Sequence, residues 1–174
     1  MTKFSDKKLS AFRNMLLFLP VSFLNVRYFA CSDDSCDLIS KYNFINKRNI
    51  FVLKNGIDCE YFRFSQEKRD KMRENLKISN EYVIGNIGRF EVVKNQKFII
   101  RLFYKKFNEQ NYKLLLVGDG SNKKALLKEI EKYNLKKQTI ILGNRSDISN
   151  ILCSIDCFLF PSKFEGLGIA AIEA

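Results

Sequence analysis

The feature that most constrains the fold is a regular alternation of apolar strand patterns and amphipathic helix patterns from Glu81 onward. The strand patterns are nearly continuous in apolar residues, and each is followed by apolar residues at helical spacing. The strand patterns lie at 82–89, 112–120, 138–143 and 157–162, and the helix patterns at 94–107, 121–135, 146–155 and from Gly168 onward. Strands of this kind need cover on both faces. We therefore predict an α/β fold: a Rossmann-like parallel sheet with helices on both faces.

The first 80 residues carry weaker signals. Strand patterns at 28–32 and 49–58 flank a short helix pattern at 33–42, and the charge-rich segment 60–81 predicts a connector and a helix. The apolar run at 15–24 is interrupted by a proline and a serine and is shorter than the roughly 20 residues that span a bilayer. It predicts a packed or membrane-apposed segment. We therefore predict two domains, residues 1–80 and residues 81–174.

The net charge of +11 is spread along the chain. Residues 1–80 hold 15 basic and 9 acidic side chains, and residues 81–174 hold 15 and 10. An even spread predicts a solvated basic surface, and attraction to an anionic membrane face or an anionic substrate is the alternative. No nucleic-acid-binding motif accompanies the charge, so we expect no nucleic-acid partner.

The cysteines and histidines exclude several kinds of site. Five cysteines stand at irregular spacing without a zinc pattern, and the chain has no histidine. This usage predicts reduced thiols, a cytoplasmic location and no structural metal. It also removes the commonest general base.

Two cations follow the first strand of the alternating region. Arg89 and Lys94 lie five residues apart, where the strand pattern gives way to a turn. Arginine offers a planar fork to phosphate oxygens and lysine offers a point charge, so both could converge on a diphosphate. The alternative is two surface cations in a loop.

The turn "VGDGS" (117–121) joins a strand to a helix. It contains one G-x-G, but Lys123 stands where a dinucleotide-binding turn has its third glycine. A tight turn is the better interpretation.

The stretch "FEGLGIAAIE" gives the strongest local signal. Gly166 and Gly168 allow close approach of the backbone to a ligand, and they expose N–H groups at the start of a helix, where phosphate binds. Glu165 precedes that helix, and Glu173 lies more than one turn inside it. These carboxylates suit the hydroxyls of a sugar and of a ribose. The alternatives are an acid that favours the helix dipole and a solvated helical glutamate.

Taken in order, these stretches resemble the carboxy-terminal, donor-binding half of retaining glycosyltransferases of family 4 (glycosyl transferases group 1), which have the GT-B fold. The resemblance extends from about Tyr28 to the last residue. The matching stretches are "VLKNGID", "IGRFEVVKNQKFII", "KLLLVGDGSNKKALLKEI", "ILGNRSDISNIL" and "DCFLFPSKFEGLGIAAIEA".

The resemblance implies a site for a nucleotide-diphospho-sugar, which we expect to be UDP-linked, and no cofactor or metal ion. Arg89, Lys94 and Glu165 would be catalytic: the two cations would neutralise the diphosphate and stabilise the nucleotide leaving group, and the glutamate would contact the sugar hydroxyls. The remaining donor-binding residues would be Arg145 and Ser146 beside the base, the amides of Gly166, Leu167 and Gly168 on the phosphates or the sugar, and Glu173 on the ribose.

The resemblance also implies an enzyme of the hexosyltransferase type. It would transfer the sugar with retention to a glycan or lipid-linked acceptor in cell-envelope or capsular polysaccharide synthesis, at the inner face of the cytoplasmic membrane. Against the family pattern, the chain would be truncated at both ends. Residues 1–80 would then be a remnant of the amino-terminal domain plus a connector, and a separately encoded amino-terminal domain would be a partner. The alternative is a non-catalytic nucleotide-sugar-binding remnant or subunit.

Overall fold

The computed structural model describes residues 27–43, 45–107 and 111–174. The prediction for the apolar run at 15–24 lies outside these residues. The chain divides into two compact units between Gly56 and Ile57. Residues 57–80 thus belong to the same unit as the alternating region, and the assignment of domains at residue 80 stays a prediction. Within the described ranges, no helix has the length and apolar character needed to cross a membrane.

The first unit contains a small parallel sheet. Strand β1 (Tyr28–Ala30) pairs with strand β2 (Ile50–Val52), and helix α1 (Asp33–Asn43) connects them. Ala30, Ile45 and Ile50 form its buried core. The strands are three residues long, shorter than the patterns at 28–32 and 49–58.

The second unit is a four-stranded parallel sheet in the order β5-β4-β3-β6. This is the predicted architecture, and the structure confirms it. Its strands are β3 (Tyr82–Ile87), β4 (Tyr112–Val117), β5 (Thr139–Leu142) and β6 (Cys157–Phe158), and its helices are α2 (Gln66–Asn75), α3 (Gln96–Lys106), α4 (Lys123–Lys132), α5 (Ile148–Ser154) and α6 (Ile169–Glu173).

Alternation along β4 divides the core between the two faces of the sheet. Leu114 and Leu116 are buried with apolar residues of α3 and α4, and Leu115 and Val117 are buried with residues of α2 and α5. Successive strand residues point to opposite faces, so a continuous apolar run fills two cores at once. Each such side chain contributes about 2 kcal/mol by leaving water.

A charged network ties α2 to the amino edge of the sheet. Asp156, just before β6, accepts hydrogen bonds from Arg69 at 2.5 Å, from Arg73 at 3.3 Å and from the backbone N–H of Val83 at 2.7 Å. Arg73 is buried and also donates to the backbone carbonyls of neighbouring turns. Because both arginines of α2 donate to acceptors next to the sheet, the network holds the helix against the sheet.

Strand β6 is shorter than the predicted strand at 157–162. Regular pairing with β3 stops at Phe158. The next bond from β3 to this segment comes from a side chain: the amide nitrogen of Asn86 donates to the carbonyl of Leu159 at 2.7 Å. Side-chain amides thus take over where the backbone ladder ends.

Candidate functional site

The loops that follow β3, β5 and β6 all leave the carboxyl edge of the second sheet. They carry Arg89, Arg145 and Glu165, respectively. In open parallel sheets this edge is where ligands bind. The structure therefore places the predicted residues at an edge suited to a ligand, and their roles stay predictions.

Lys94 and Glu165 form an ion pair across this edge. The lysine Nζ lies 2.5 Å from the glutamate Oε1, and the two side chains are 21% and 23% exposed. The lysine Nζ also lies 5.8 Å from the centre of the Phe160 ring. Burial raises the pKa of Glu165, but hydrogen bonds from Lys94 and Ser162 and the lysine charge outweigh it and hold that pKa below its usual range. The carboxylate therefore stays ionised at neutral pH.

Arg89 is largely exposed to solvent at the same edge of the sheet. Its side chain is 77% exposed, and among the described residues its guanidinium forms one ion pair, at 3.3 Å, with Glu91. Its backbone is better held: the amide of the fully buried Gln96 donates to the Arg89 carbonyl at 3.0 Å. The arginine is thus a cation on a fixed loop with its fork open to a ligand.

The "VGDGS" segment (117–121) packs against the loop that carries Arg89. Gly118 has φ 137°, and a Cβ at this position would lie 2.2 Å from the carbonyl oxygen of Gly88. The N–H of Phe90 bonds to the carbonyl of Asp119 at 2.8 Å. A side chain at Gly118 would push the two loops apart, so the glycine is needed for this packing. The hydrogen-bonded turn itself lies at 120–123, where the N–H of Lys123 donates to the carbonyl of Gly120 at 3.1 Å.

The glycine-rich loop ends in a left-handed residue. Gly168 has φ 71° and immediately precedes α6. The first N–H groups of a helix have no hydrogen-bond acceptor within that helix. The residues 165–168 are half-buried. Glu173 is the last residue of α6 and is also half-buried, more than one turn from the loop. The ordering of loop and helix matches the prediction.

Arg145 and Ser146 are engaged by protein groups. The Arg145 guanidinium makes two hydrogen bonds to Asp147, at 2.8 and 2.6 Å. These bonds and the opposite charges raise the pKa of the arginine and lower the pKa of the aspartate. The Ser146 carbonyl accepts a hydrogen bond from the Tyr61 hydroxyl at 3.5 Å. A nucleotide base bound at this loop would therefore contact groups that already have hydrogen-bond partners in the protein.

Sequence reasoning did not single out the amide side chains around this edge. Asn86, Asn95 and Gln96 each donate to a backbone carbonyl of a loop that carries a candidate residue or leads to one. One signal was available for Asn95: an asparagine just before an amphipathic helix often has a special backbone conformation. Tyr61 leaves no pattern in the sequence, because its partner lies 85 residues away.

Residues 67–174 match the family "Glycosyl transferases group 1". The chain belongs to this family. The match includes all the candidate residues of the carboxyl edge, and the members of the family are glycosyltransferases.

Individual relatives agree with the family assignment. The chain is 37% identical over 114 residues to the uncharacterized glycosyltransferase MJ1059 of Methanocaldococcus jannaschii, covering 64% of this chain and 28% of that protein. It is 30% identical over 154 residues to UDP-Gal:alpha-D-GlcNAc-diphosphoundecaprenol alpha-1,3-galactosyltransferase of Escherichia coli, covering 85% of this chain and 40% of that protein. The chain thus spans less than half the length of these relatives.

Solved structures show the same fold. HepE of Anabaena, crystallised with UDP and glucose, superposes with a TM-score of 0.84 at 22% identity, covering 95% of this chain and 46% of that chain. At this identity the likeness establishes the fold, which is that of GT-B glycosyltransferases.

Proposed function

We propose that the chain binds a nucleotide-diphospho-sugar, UDP-linked, as the donor part of a retaining glycosyltransferase of family 4. The observation that carries the proposal is the Lys94–Glu165 pair at the carboxyl edge, with the exposed guanidinium of Arg89 on a loop of the same edge. Two cations suit a diphosphate, and a carboxylate held ionised suits sugar hydroxyls. The crystals of HepE with UDP and glucose, or with UDP-glucose, support this choice of donor.

In the proposed reaction, Arg89 and Lys94 stabilise the negative charge that develops on the departing nucleotide diphosphate. Fixed cations act strongly at such a site because they need no reorganisation when the bond breaks. Glu165 orients the sugar, and the amides of Gly166, Leu167 and Gly168 contact the phosphates or the sugar. Glu173 binds the hydroxyls of the ribose, and the loop with Arg145 and Ser146 contacts the nucleotide base. The two cations fill the charge-neutralising role, so the site needs no metal ion.

Lys94 exchanges partners in this scheme. Without a donor its charge is neutralised by Glu165, and the pair keeps two charges stable at a half-buried position. A bound donor would place its diphosphate against Lys94 and its sugar hydroxyls against Glu165. Each group thereby keeps a partner of suitable chemistry in both states.

For the acceptor, we propose a glycan or lipid-linked saccharide of the cell envelope or capsule, met at the inner face of the cytoplasmic membrane. The Escherichia coli relative is named for transfer onto a diphosphoundecaprenol-linked sugar. The net charge of +11 favours an anionic membrane surface. A further domain that binds the acceptor would supply the other half of the cleft.

Calorimetry with UDP, GDP, UDP-glucose and UDP-galactose tests the donor site. We expect UDP-sugars to bind and Lys94→Ala to weaken them about 10- to 100-fold, since a charge-assisted contact to phosphate contributes about 1.5–3 kcal/mol. Lys163→Ala, which removes an exposed lysine from the neighbouring loop, is the matched control and should change affinity less than twofold. Absence of binding, or equal affinity in the two variants, would reject the site.

The variant Glu165→Ala distinguishes contacts to the sugar of the donor from contacts to its nucleotide. This variant should lose affinity for UDP-glucose but keep or improve affinity for UDP, because Lys94 no longer has a competing carboxylate. A parallel loss for both ligands would show that the glutamate does not contact the sugar. Transfer is then assayed with a supplied amino-terminal domain, and the anomeric configuration of the product reports retention. Binding without transfer would favour a non-catalytic nucleotide-sugar-binding subunit.

A further inference from the structure

Asn95 stands at a junction beside Lys94. It ends a short 3-10 turn (Val92–Lys94) and begins α3, with its N–H bonded to the carbonyl of Val92 at 3.3 Å. Its backbone is left-handed, with φ 59° and ψ 31°. Asparagine adopts this conformation more readily than most residues with a side chain. The turn can therefore reverse here and lead directly into the helix.

The side chain of Asn95 is used in an unusual way. At the position before a helix, an asparagine commonly accepts a hydrogen bond from the first turn of that helix. Asn95 makes no such bond. Its amide nitrogen instead donates to the carbonyl of Pro161, at 3.3 Å, in the loop that leads to Glu165. The residue thus links two loops where it would ordinarily stabilise one helix.

A second bond lies on the other side of Lys94. The N–H of Lys163 donates to the carbonyl of Val93 at 2.8 Å. Val93 and Asn95, the two neighbours of Lys94, are therefore both tied to the segment 161–163, two residues before Glu165. Regular pairing of β3 with β6 has already ended at Phe158, so these loop contacts set the spacing between the lysine and the glutamate.

We propose that Asn95 is a positioning residue of the donor site, whose left-handed backbone and side-chain amide hold Lys94 at the distance from the Glu165 loop that both residues need to act on one ligand. The inference rests on the proposed function for its ligand. Its effect on the pair itself is independent of any ligand, and it therefore has a separate test.

Three variants separate the backbone of Asn95 from its side chain. Asn95→Gly keeps the left-handed conformation and removes the amide. Asn95→Asp keeps the shape but replaces the donor with a carboxylate, which repels the carbonyl of Pro161. Asn134→Gly is the matched control, because Asn134 is also left-handed, with φ 56°, and lies exposed in the turn after α4.

The first measurement is the titration of the Glu165 carboxyl by carbon-13 NMR in the whole chain. In Asn95→Gly the lysine is less firmly held, so the pKa of Glu165 should rise toward its ordinary value, and in Asn95→Asp it should rise as well. Asn134→Gly should leave it unchanged. Loss of fold stability alone would not move this titration while the chain remains folded by circular dichroism.

The second measurement is the affinity for UDP-glucose. Asn95→Gly should weaken it about five- to tenfold, the factor expected for one lost hydrogen bond, and Asn134→Gly should leave it within twofold. If Asn95→Gly matches Asn134→Gly in both measurements, the positioning role is wrong. If the unmodified chain binds no UDP-glucose but Asn95→Gly still shifts the Glu165 titration, the proposed donor fails while the positioning role stands.

Discussion

The two edges of the second sheet use the same kinds of charged side chain in opposite ways. At the amino edge, Arg73 is buried, and its two terminal guanidinium nitrogens make four hydrogen bonds to protein acceptors, with Asp156 among them. At the carboxyl edge, Arg89 is 77% exposed and touches one carboxylate at 3.3 Å. A guanidinium has five N–H donors, so the number already used by the protein tells whether it serves the fold or remains open to a ligand.

The comparison shows that charge alone does not mark a site. Asp156 and Glu165 both have a pKa below the usual range, and both are ionised beside cations. The partners of Asp156 lie in a helix and a strand, and those of Glu165 lie in two loops. A carboxylate held by regular elements is fixed in the folded state, and one held by loops can change partners when a ligand arrives.

The largest expected effect is at the amino edge. Asp156→Asn leaves the buried Arg73 without a counter-charge and turns an amide toward three donors, so we expect a loss of about 3 kcal/mol in the free energy of unfolding. Urea denaturation measures it. Glu131→Gln, which breaks the exposed pair with Lys136, is the control and should leave the free energy of unfolding nearly unchanged. Equal effects would remove the distinction between the edges.

The same aspartate predicts a pH dependence. Burial alone raises the pKa of Asp156. The hydrogen bond from the N–H of Val83 and the charges of Arg69 and Arg73 together have a larger effect in the opposite direction, so the pKa lies below its usual range. A carboxyl with a lowered folded pKa stabilises the fold above its unfolded pKa of about 3.9, and this stabilisation is lost as the pH falls through the folded value. The difference in unfolding free energy between the unmodified chain and Asp156→Asn should therefore shrink below about pH 4. A constant difference down to pH 2 would contradict the assignment.

At the carboxyl edge, Arg89→Ala should weaken ligand binding and leave the stability of the fold nearly unchanged. We expect a 10- to 100-fold weaker affinity for UDP by calorimetry, because a charge-assisted contact to phosphate is lost. The free energy of unfolding should change by less than about 0.5 kcal/mol, as for other exposed side chains. Arg63→Ala removes another exposed arginine, 70% exposed and paired with Glu60, and should change neither quantity. A large loss of stability in Arg89→Ala would place this arginine with those of the amino edge.

The smallest expected effect concerns Glu91, the carboxylate that pairs with Arg89. Glu91→Gln frees the guanidinium and should raise the affinity for UDP by up to about threefold, with a change in stability below about 0.5 kcal/mol. Glu60→Gln breaks a comparable exposed pair and should leave UDP affinity unchanged. Weaker UDP binding in Glu91→Gln would mean that this pair orients the arginine for the ligand.

The sheet was predictable because its signals are local. The run 114–117 is apolar at every position on both faces, and α3 repeats its apolar residues at helical spacing, so each element can be recognised from a few neighbouring residues. The end of β6 was not predictable in this way. The pattern at 157–162 remains apolar after Phe158, but the amides of Asn86 and Asn95 replace the backbone ladder there, and that contact is not encoded near the strand.

For the candidate site, position was predictable and contact was not. Arg89, Lys94 and Glu165 were expected at one edge, and they lie there, because parallel strands end together. The direct pairing of Lys94 with Glu165 joins residues 71 apart in the chain, and no short pattern signals it. The network of Asp156 was missed for the same reason, since its arginine partners are 83 and 87 residues away. The ligand roles of the carboxyl-edge residues stay predictions until binding is measured.

The order of the strands has a consequence for how the site forms during folding. Strands β3, β4 and β5 are neighbours in the chain as well as in the sheet, but β6 returns to lie beside β3, and Asn86 meets Leu159 across 73 residues. Closing so long a loop costs more entropy than the local pairings, so we expect β6 to join last. A three-stranded intermediate would then already present Arg89 and Lys94, and the arrival of Glu165 would mark completion of the fold.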